Sequence, residues 1–203
     1  MNPEVTRLSS AHRDEAVVVL CESFYDYPVM RFVLADAGRR YDEHLSALVA
    51  YFCSRRLVGD GWVLGAMVGR ELAGVSVFDE PGSDLVESED ELRQWTLALE
   101  RDIGEEAVGR LSEYDAVGES LLPEGDYHYL GMLGVVSRYQ GLGLGKKLVE
   151  ATQALAADSP ASSGVCLDTE SPENVPFYER LGFEIVGEAD VADIHSWCMF
   201  WAK

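Results

Sequence analysis

Apolar positions along the chain recur with two different periods, which predict helices and strands in a defined order. Helical spacing predicts helices over 11–25, 29–34, 39–58, 90–103, 105–121, 144–157 and 174–181. Short apolar runs predict strands over 5–8, 62–68, 72–78, 127–136, 164–169, 183–189 and 195–202. This order and the chain length favour one α/β domain of the α+β kind over residues 1–203, with a mixed, mostly antiparallel sheet.

A glycine-rich turn lies between the predicted strand at 127–136 and the helix that follows, with the sequence Gln140-Gly141-Leu142-Gly143-Leu144-Gly145-Lys146-Lys147. Such a turn presents backbone N–H groups at a helix N-terminus, where the helix dipole favours negative charge, so a phosphate group is the expected ligand. The G-x-G-x-x-G motif of dinucleotide-binding proteins does not match, because its third glycine would have to come one residue later. The P-loop motif G-x-x-x-x-G-K-[ST] does not match either, because Gln140 stands at its first glycine and Lys147 at its Ser/Thr position. Taken alone, the motif also fits a connector without a ligand.

The spacing does match the Gln/Arg-x-x-Gly-x-Gly pyrophosphate loop of the GNAT N-acetyltransferases, through Gln140, Gly143 and Gly145. Further along, Asn174, Tyr178 and Gly182-Phe183 match the Asn-x-x-x-Tyr-x-x-x-Gly-Phe pattern of the last helix in that family. On these two motifs the chain resembles the GNAT family. The resemblance implies the GNAT fold, with helices on both sheet faces and splayed fourth and fifth strands between which acetyl-coenzyme A enters.

Over roughly residues 127–200 the chain resembles one subfamily in particular, since it is similar there to the C-terminal portion of puromycin N-acetyltransferases. The residues that carry this similarity are 167–172, 174–183 and Trp197-Cys198-Met199. Residues 80–126 match nothing in that comparison. They are expected to form an acidic helical insertion that either walls the substrate pocket or mediates homodimer contacts, and the sequence does not decide between these.

The resemblance also implies the residues that hold the cofactor, acetyl-CoA. A strand segment would pair with the pantetheine arm, the glycine loop would hold the pyrophosphate, and the last helix would touch the arm. These residues are Leu133, Val135, Val136, Gln140, Gly141, Leu142, Gly143, Leu144, Gly145, Lys146, Asn174 and Tyr178. By the same resemblance, the backbone N–H of Val135 would stabilise the developing oxyanion. Asn174 is also expected to cap its helix.

Tyr178 is predicted to be the general acid, a role that the resemblance carries over. A tyrosine hydroxyl with a pKa of about 10 is well matched to a thiolate whose thiol has a pKa of about 8.5. Packing on an amphipathic helix is the alternative role for this aromatic residue.

Asp168 is predicted to be the general base, or to hold the substrate ammonium, since puromycin acetyltransferase-like sequences have Glu there. Strand alternation places Cys166, Asp168 and Glu170 on one face of their strand. The alternatives for the base are Glu22, Asp26, His128 and Tyr129.

Phe24, Tyr25 and Tyr27 form an aromatic cluster where the first helices of the family line the acceptor site. We expect the two tyrosines to wall an amine, because aromatic faces attract cations, while Phe24 also suits the core. The resemblance implies that the acceptor is a small-molecule primary amine, with an antibiotic or toxin as one candidate. A peptide N-acetyltransferase and a non-catalytic acyl-CoA-binding module are the alternatives.

The net charge of −20 is concentrated between residues 79 and 126, where 16 acids and 3 bases give −13. Such a charge disfavours nucleic acid and anionic membranes as partners and suits a cationic substrate, although it also fits a solvated helix face. No apolar run approaches the roughly 20 residues of a membrane span, so a cytoplasmic location is expected. The cysteines Cys21, Cys53, Cys166 and Cys198 are widely spaced, which favours reduced thiols and no metal site.

Overall fold

A computed structural model describes residues 4–58, 61–82 and 89–203, and its elements follow the predicted order. The strands are β1 (Glu4–Arg7), β2 (Trp62–Val68), β3 (Glu71–Asp79), β4 (His128–Val135), β5 (Gly164–Thr169), β6 (Glu184–Val191) and β7 (Ile194–Ala202). The helices are α1 (Arg13–Phe24), α2 (Pro28–Val33), α3 (Tyr41–Val58), α4 (Glu89–Ile103), α5 (Glu105–Leu121), α6 (Leu144–Asp158) and α7 (Val175–Glu179). The apolar spacing thus predicted each of these elements correctly.

The seven strands form one sheet in the order β1-β2-β3-β4-β5-β7-β6. All neighbouring strands are antiparallel except β4 and β5, which are parallel. These two strands pair only at His128 with Val165 and at Tyr129 with Cys166, although β4 continues to Val135. Beyond Tyr129 the strands separate, which confirms the predicted splay between the fourth and fifth strands.

Two glycines show how closely helices approach the two faces of the sheet. A Cβ added to Gly134 on β4 would lie 2.7 Å from the Oγ of Ser23 on α1, so only glycine fits there. A Cβ added to Gly74 on β3 would instead lie 3.2 Å from Leu148 on α6. Because Gly74 stands opposite Val135, the neighbour of Gly134, the two glycines face opposite sides. Helices α1 and α6 therefore cover opposite faces, as predicted.

The hairpin between β6 and β7 is tighter than the sequence suggests. Val191 pairs with Ile194, so only Ala192 and Asp193 form the turn. Ala192 adopts a positive φ of 51°, a conformation that an alanine rarely takes and that the sequence pattern does not predict. Both strands consequently extend further into the predicted loop.

The acidic segment forms two helices, α4 and α5, between β3 and β4; residues 83–88 of the predicted insertion lie outside the described part of the chain. Helix α4 packs against α3, and α5 packs against α2 and β6. Arg110 fastens α5 to the region of α2, because its guanidinium donates to the carbonyl of Val33 at 3.0 Å and to Asp36 at 2.8 Å. The position of α5 relative to the sheet is thereby fixed.

Two of the cysteines meet in space despite their separation in sequence. Cys166 on β5 and Cys198 on β7 are buried, and their Sγ atoms are 3.6 Å apart as free thiols. The sequence spacing gave no sign of this contact, because it results from the pairing of β5 with β7.

Candidate active site

A cavity of about 490 Å³ opens where β4 and β5 separate, and half of the predicted site residues meet in it. The predicted residues that line it are Phe24, Tyr27, Leu133, Val135, Gln140, Asp168, Asn174 and Tyr178. Helix α5 forms a further wall with Leu111, Tyr114 and Asp115. The cavity thus joins residues from the predicted cofactor and acceptor sites.

The glycine loop turns the chain into α6 through two left-handed residues, Gly141 with φ of 76° and Gly143 with φ of 78°. Gly143 is the N-cap residue, and the first bond of the helix runs from the N–H of Lys147 to its carbonyl at 3.1 Å. The N–H groups of residues 144–146 therefore have no intrahelical acceptor. With no acidic residue in the first turn, this end of α6 suits an anion such as a pyrophosphate.

Side chains from three places hold this loop against the sheet. The amide of Gln140 donates to the carbonyl of Val135 at 3.2 Å, and the hydroxyl of Tyr139 donates to Glu71 at 2.6 Å. The carboxylate of Glu22 accepts the N–H of Ser137 at 2.7 Å, and this bond lowers the pKa of Glu22. Glu22, an alternative for the base, is thus placed at the loop and outside the residues that line the cavity.

The backbone of β4 presents one edge to the gap between the splayed strands. The N–H of Val136 donates to the carbonyl of Ala73 on the β3 side at 3.0 Å. Because successive residues of a strand turn their N–H groups to opposite edges, the N–H of Val135 faces the gap. It is available there to a carbonyl oxygen of a ligand.

Other predicted cofactor residues have simpler surroundings. Val136 and Leu144 are buried in the core, whereas Leu142 is exposed. Lys146 is also exposed and lies 3.6 Å from Glu150. Their side chains do not line the cavity, so any contact of this part of the loop with a cofactor depends on its backbone and on Lys146.

Tyr178 on α7 is 7% exposed and lines the cavity. Its ring packs edge-on against Phe177 and Phe183, with centroid distances of 5.0 and 5.6 Å. Burial, and then the negative charges of Asp168 and Glu170, raise the pKa of Tyr178, so its hydroxyl stays protonated and able to donate. Packing and cavity lining are both observed for this residue.

Asn174 is the N-cap residue of α7, as expected, and its carbonyl accepts the N–H of Tyr178 at 3.0 Å, but its side chain does not cap the helix. Its amide instead donates to the Oγ1 of Thr169 at 3.0 Å, and no side-chain cap bond is formed. The hydroxyl of Tyr27 lies 3.0 Å from the same Oγ1 and accepts the N–H of Glu170 at 3.0 Å. Thr169 at the end of β5 therefore connects the first helices to the last one.

The predicted acceptor side of the cavity contains a carboxylate pair, Asp168 near the end of β5 and Glu170 directly after this strand. The hydroxyl of Tyr114 contacts both, at 2.8 Å from Glu170, and the hydroxyl of Tyr129 contacts Asp168. Ser196 donates to Glu170 at 2.8 Å. Burial, and then the charge of Asp168, raise the pKa of Glu170 to about 7.

Three residues proposed from the sequence lie elsewhere. Tyr25 is 42% exposed, does not line the cavity, and packs on Tyr41 at 5.3 Å, because the turn before Pro28 directs it outward. Asp26, an alternative for the base, forms an exposed ion pair with Arg31. His128, another alternative, is fully buried outside the cavity lining, and burial lowers its pKa.

The sequence offered a wall of the substrate pocket as one of two roles for the acidic segment, and α5 does line the cavity, but the individual residues from α3 and α5 were not predicted. Arg55 and Arg56 line the cavity, and Arg56 is held by Asp79 at 2.9 Å. Tyr114 and Asp115 come from the acidic segment, which had no matching motif. The one available signal was the helical pattern over 105–121 with a tyrosine inside an acidic run.

Among the described residues, no group of three or more His, Cys, Asp or Glu side chains is arranged to hold a metal ion. None of the helices in the described ranges combines the length and hydropathy that a bilayer crossing requires.

Comparison with known proteins identifies the fold. Residues 95–185 match the family model described as an acetyltransferase (GNAT) domain. A structure described as histone acetyltransferase HPA2 and related acetyltransferase, from Corynebacterium glutamicum, superposes with a TM-score of 0.76 at 21% identity, covering 100% of this chain and 97% of the other. The chain therefore has the GNAT fold, and 91 of its residues (95–185) match the acetyltransferase domain of that name.

Two further structures with the same fold are amine acetyltransferases. Arylalkylamine N-acetyltransferase 2 from Aedes aegypti has a TM-score of 0.64 at 18% identity, covering 100% of this chain and 99% of the other. The polyamine N-acetyltransferase of Drosophila melanogaster, described as forming N-acetylagmatine, has a TM-score of 0.66 at 14% identity, covering 98% of each chain. Identities this low establish a shared fold only.

Proposed function

We propose that the protein is an acetyl-CoA-dependent N-acetyltransferase that acts on a primary amine of a small molecule. The observation that carries this proposal is one cavity whose lining includes the backbone of β4 and Gln140 together with Tyr178 and Asp168. The family match and the amine acetyltransferases of the same fold support it.

The residues present suit acetyl-CoA. The N-terminus of α6 offers free N–H groups to a pyrophosphate, and the exposed edge of β4 offers hydrogen bonds to a pantetheine arm. When bound, acetyl-CoA supplies an activated acetyl thioester. We assign the pyrophosphate to residues 140–146 and the arm to Leu133, Val135, Val136 and Asn174.

Three protein groups have separate roles in a direct acetyl transfer within a ternary complex of the protein, acetyl-CoA and the amine. The N–H of Val135 donates to the thioester carbonyl oxygen, where negative charge develops. Asp168 accepts a proton from the ammonium of the acceptor, and Tyr178 donates its proton to the departing thiolate. The raised pKa of Tyr178 keeps this proton in place until the thiolate forms.

The acceptor side favours a compact cation. Asp168, Glu170 and Asp115 bring negative charge to the cavity, while Phe24 and Tyr27 supply aromatic walls. Helix α5 closes one side of the cavity, which argues against a long peptide groove. The similarity to puromycin N-acetyltransferases, the homodimer and the cytoplasmic location stay predictions.

The experiment that tests the proposal combines binding and turnover. We expect acetyl-CoA to raise the melting temperature, because a ligand that binds only the native state stabilises it. We also expect release of free coenzyme A with members of a panel of primary amines, including arylalkylamines, diamines and aminonucleosides. Binding without thiol release from any amine would favour a non-catalytic acyl-CoA-binding module, and a melting temperature that does not respond to acetyl-CoA would rule out both functions.

A further inference from the structure

Asp168 and Glu170 are held together by a residue from a distant helix. They lie two positions apart at the end of β5, with Glu170 directly after the strand, and the hydroxyl of Tyr114 on α5 is within hydrogen-bond distance of both. A phenol carries a single proton, so it can compensate only one of two carboxylate charges at a time. Uptake of one proton by the pair relieves the remaining repulsion.

The surroundings of the pair make this repulsion strong. Glu170 is 6% exposed, so water screens its charge poorly. The titratable or charged groups around the two carboxylates are Tyr27, Tyr114, Asp115, Tyr129, Cys166, Tyr178 and Cys198. Arg55 and Arg56 line the same cavity and interact with the charge of Asp115. The hydroxyls compensate charge by donating, but only the arginines carry positive charge, and Arg56 is bound to Asp79.

We propose that Asp168 and Glu170 act as one proton-accepting unit and that Tyr114 is the positioning residue that holds this unit in place. The inference rests on the proposed function. In the step, the N–H bond of the substrate ammonium breaks, its proton moves to the carboxylate pair, and the electron pair stays on nitrogen as the lone pair that attacks the acetyl carbon. The charge of the pair changes from −2 to −1, and the ammonium becomes a neutral amine.

The position of Tyr114 is set independently of the substrate. Arg110 lies one helical turn before it on the same face of α5, and it is bonded to the carbonyl of Val33 and to Asp36. Tyr114 is therefore held over β5 by an anchor outside the cavity. This arrangement explains how an insertion that shares no motif with the cofactor loop contributes to proton transfer.

The raised pKa of Glu170, about 7, supports the geometry, because a base performs best when its pKa lies near the working pH. The pair is then fully ionised only above that pH. In the wild-type protein, kcat/KM should fall as pH decreases through this value.

The test measures the pH profile of kcat/KM for Glu170→Gln and Tyr114→Phe, with coenzyme A release as the readout. Glu170→Gln removes the like charge, so the acidic limb should move to lower pH by about one unit or more. Tyr114→Phe removes a donor that stabilises the ionised pair, so the limb should move to higher pH by about one unit. Ser112→Ala is the matched control, because this exposed α5 hydroxyl donates to the carbonyl of Val108 on its own helix and does not line the cavity, so its loss should leave the profile unchanged.

Shifts of the acidic limb in opposite directions in the two variants would support a shared proton acceptor. A loss of activity in both variants with the acidic limb at its wild-type pH would overturn the inference. Side-chain ¹³C NMR titration of Asp168 and Glu170 tests the pair without turnover, and coupled titration of the two groups is the expected result. If the wild type released no coenzyme A with any amine, the proposed function would fail while this titration still decided whether the carboxylates act together. Independent titration of the two groups would then overturn the inference as well.

Discussion

The cofactor side and the acceptor side of the cavity are built in different ways. The cofactor side consists mainly of backbone: the left-handed glycines before α6, the free N–H groups of its first turn, and the open edge of β4. The acceptor side consists of side chains from separate elements, with Tyr27, Tyr114, Tyr129 and the Asp168–Glu170 pair meeting only in the folded chain. A backbone conformation that requires glycines can be recognised from a short stretch of sequence. A set of side chains that come from separate elements cannot.

Tyr178 lies between the two sides, so its substitution should have the largest effect. Tyr178→Phe keeps the packing against Phe177 and Phe183 but removes the proton that meets the thiolate. We expect kcat to fall by about 10²–10³-fold with little change in acetyl-CoA affinity, as for removal of a general acid. Steady-state kinetics and calorimetric titration measure both quantities, and an unchanged kcat would leave Tyr178 with a packing role alone.

Gly143→Ala should damage the cofactor side alone. A side chain at a φ of 78° costs about 1–2 kcal/mol, and relief of this strain would move the N–H groups of α6, so acetyl-CoA should bind about tenfold more weakly. The KM of the amine should stay the same. Calorimetric titration gives the affinity.

The matched control for this glycine is Gly118→Ala. Gly118 lies within α5, where an added Cβ meets no atom within 4 Å, and alanine favours the helix by about 1 kcal/mol. This variant should bind acetyl-CoA as the wild type does. Equal weakening in both variants would show that the conformation of the loop is not the cause.

Asp115→Asn should affect the acceptor side alone, and more weakly, because part of Asp115 is exposed to solvent although its carboxyl faces the other carboxylates of the cavity. Burial of its carboxyl within the cavity, and then the charges of Asp168 and Glu119, raise the pKa of Asp115 to about 6. Its negative charge, and therefore its attraction for a cationic amine, is present above that pH and is lost below it. We expect the KM of the amine to rise about threefold at high pH, the scale of an exposed ion pair, and to match the wild type at low pH.

The smallest effect should come from substitution of His195, which lies outside the cavity. Its side chain contacts Asp190 and Glu188 in an exposed cluster on the β6–β7 hairpin. The hydrogen bond to Asp190, followed by that to Glu188, raises the pKa of His195. Its contribution to stability is therefore fully present below the unfolded pKa of about 6.5 and is lost as pH rises through the folded pKa. His195→Gln should lower the melting temperature slightly in acid and not in alkali, with catalysis unchanged; a difference that persists in alkali would exclude the charge as its cause.

The same contrast explains what could be predicted from the sequence. The spacing of apolar residues predicted every element described above. The loop motif together with the Asn174–Phe183 pattern predicted the GNAT fold with its splayed strands, because these signals are local. Tyr25 and Asn174 were assigned side-chain contacts that the structure does not show, since neighbouring residues in sequence can face different surroundings. Tyr114 was missed because its contacts with β5 depend on how α5 is anchored to α2, and no local pattern encodes that packing.

The anchoring of α5 by Arg110 has a consequence for how such a protein can diversify. The insertion supplies one wall of the acceptor cavity, yet none of its residues belongs to the loop before α6. Substitutions at residues 111 and 115 can therefore reshape the acceptor cavity without altering the backbone that surrounds the cofactor side or the contacts of Tyr114 with the two carboxylates. If the proposed function holds, substitutions in the insertion can change which amine the cavity accepts while the site for the acetyl donor stays the same.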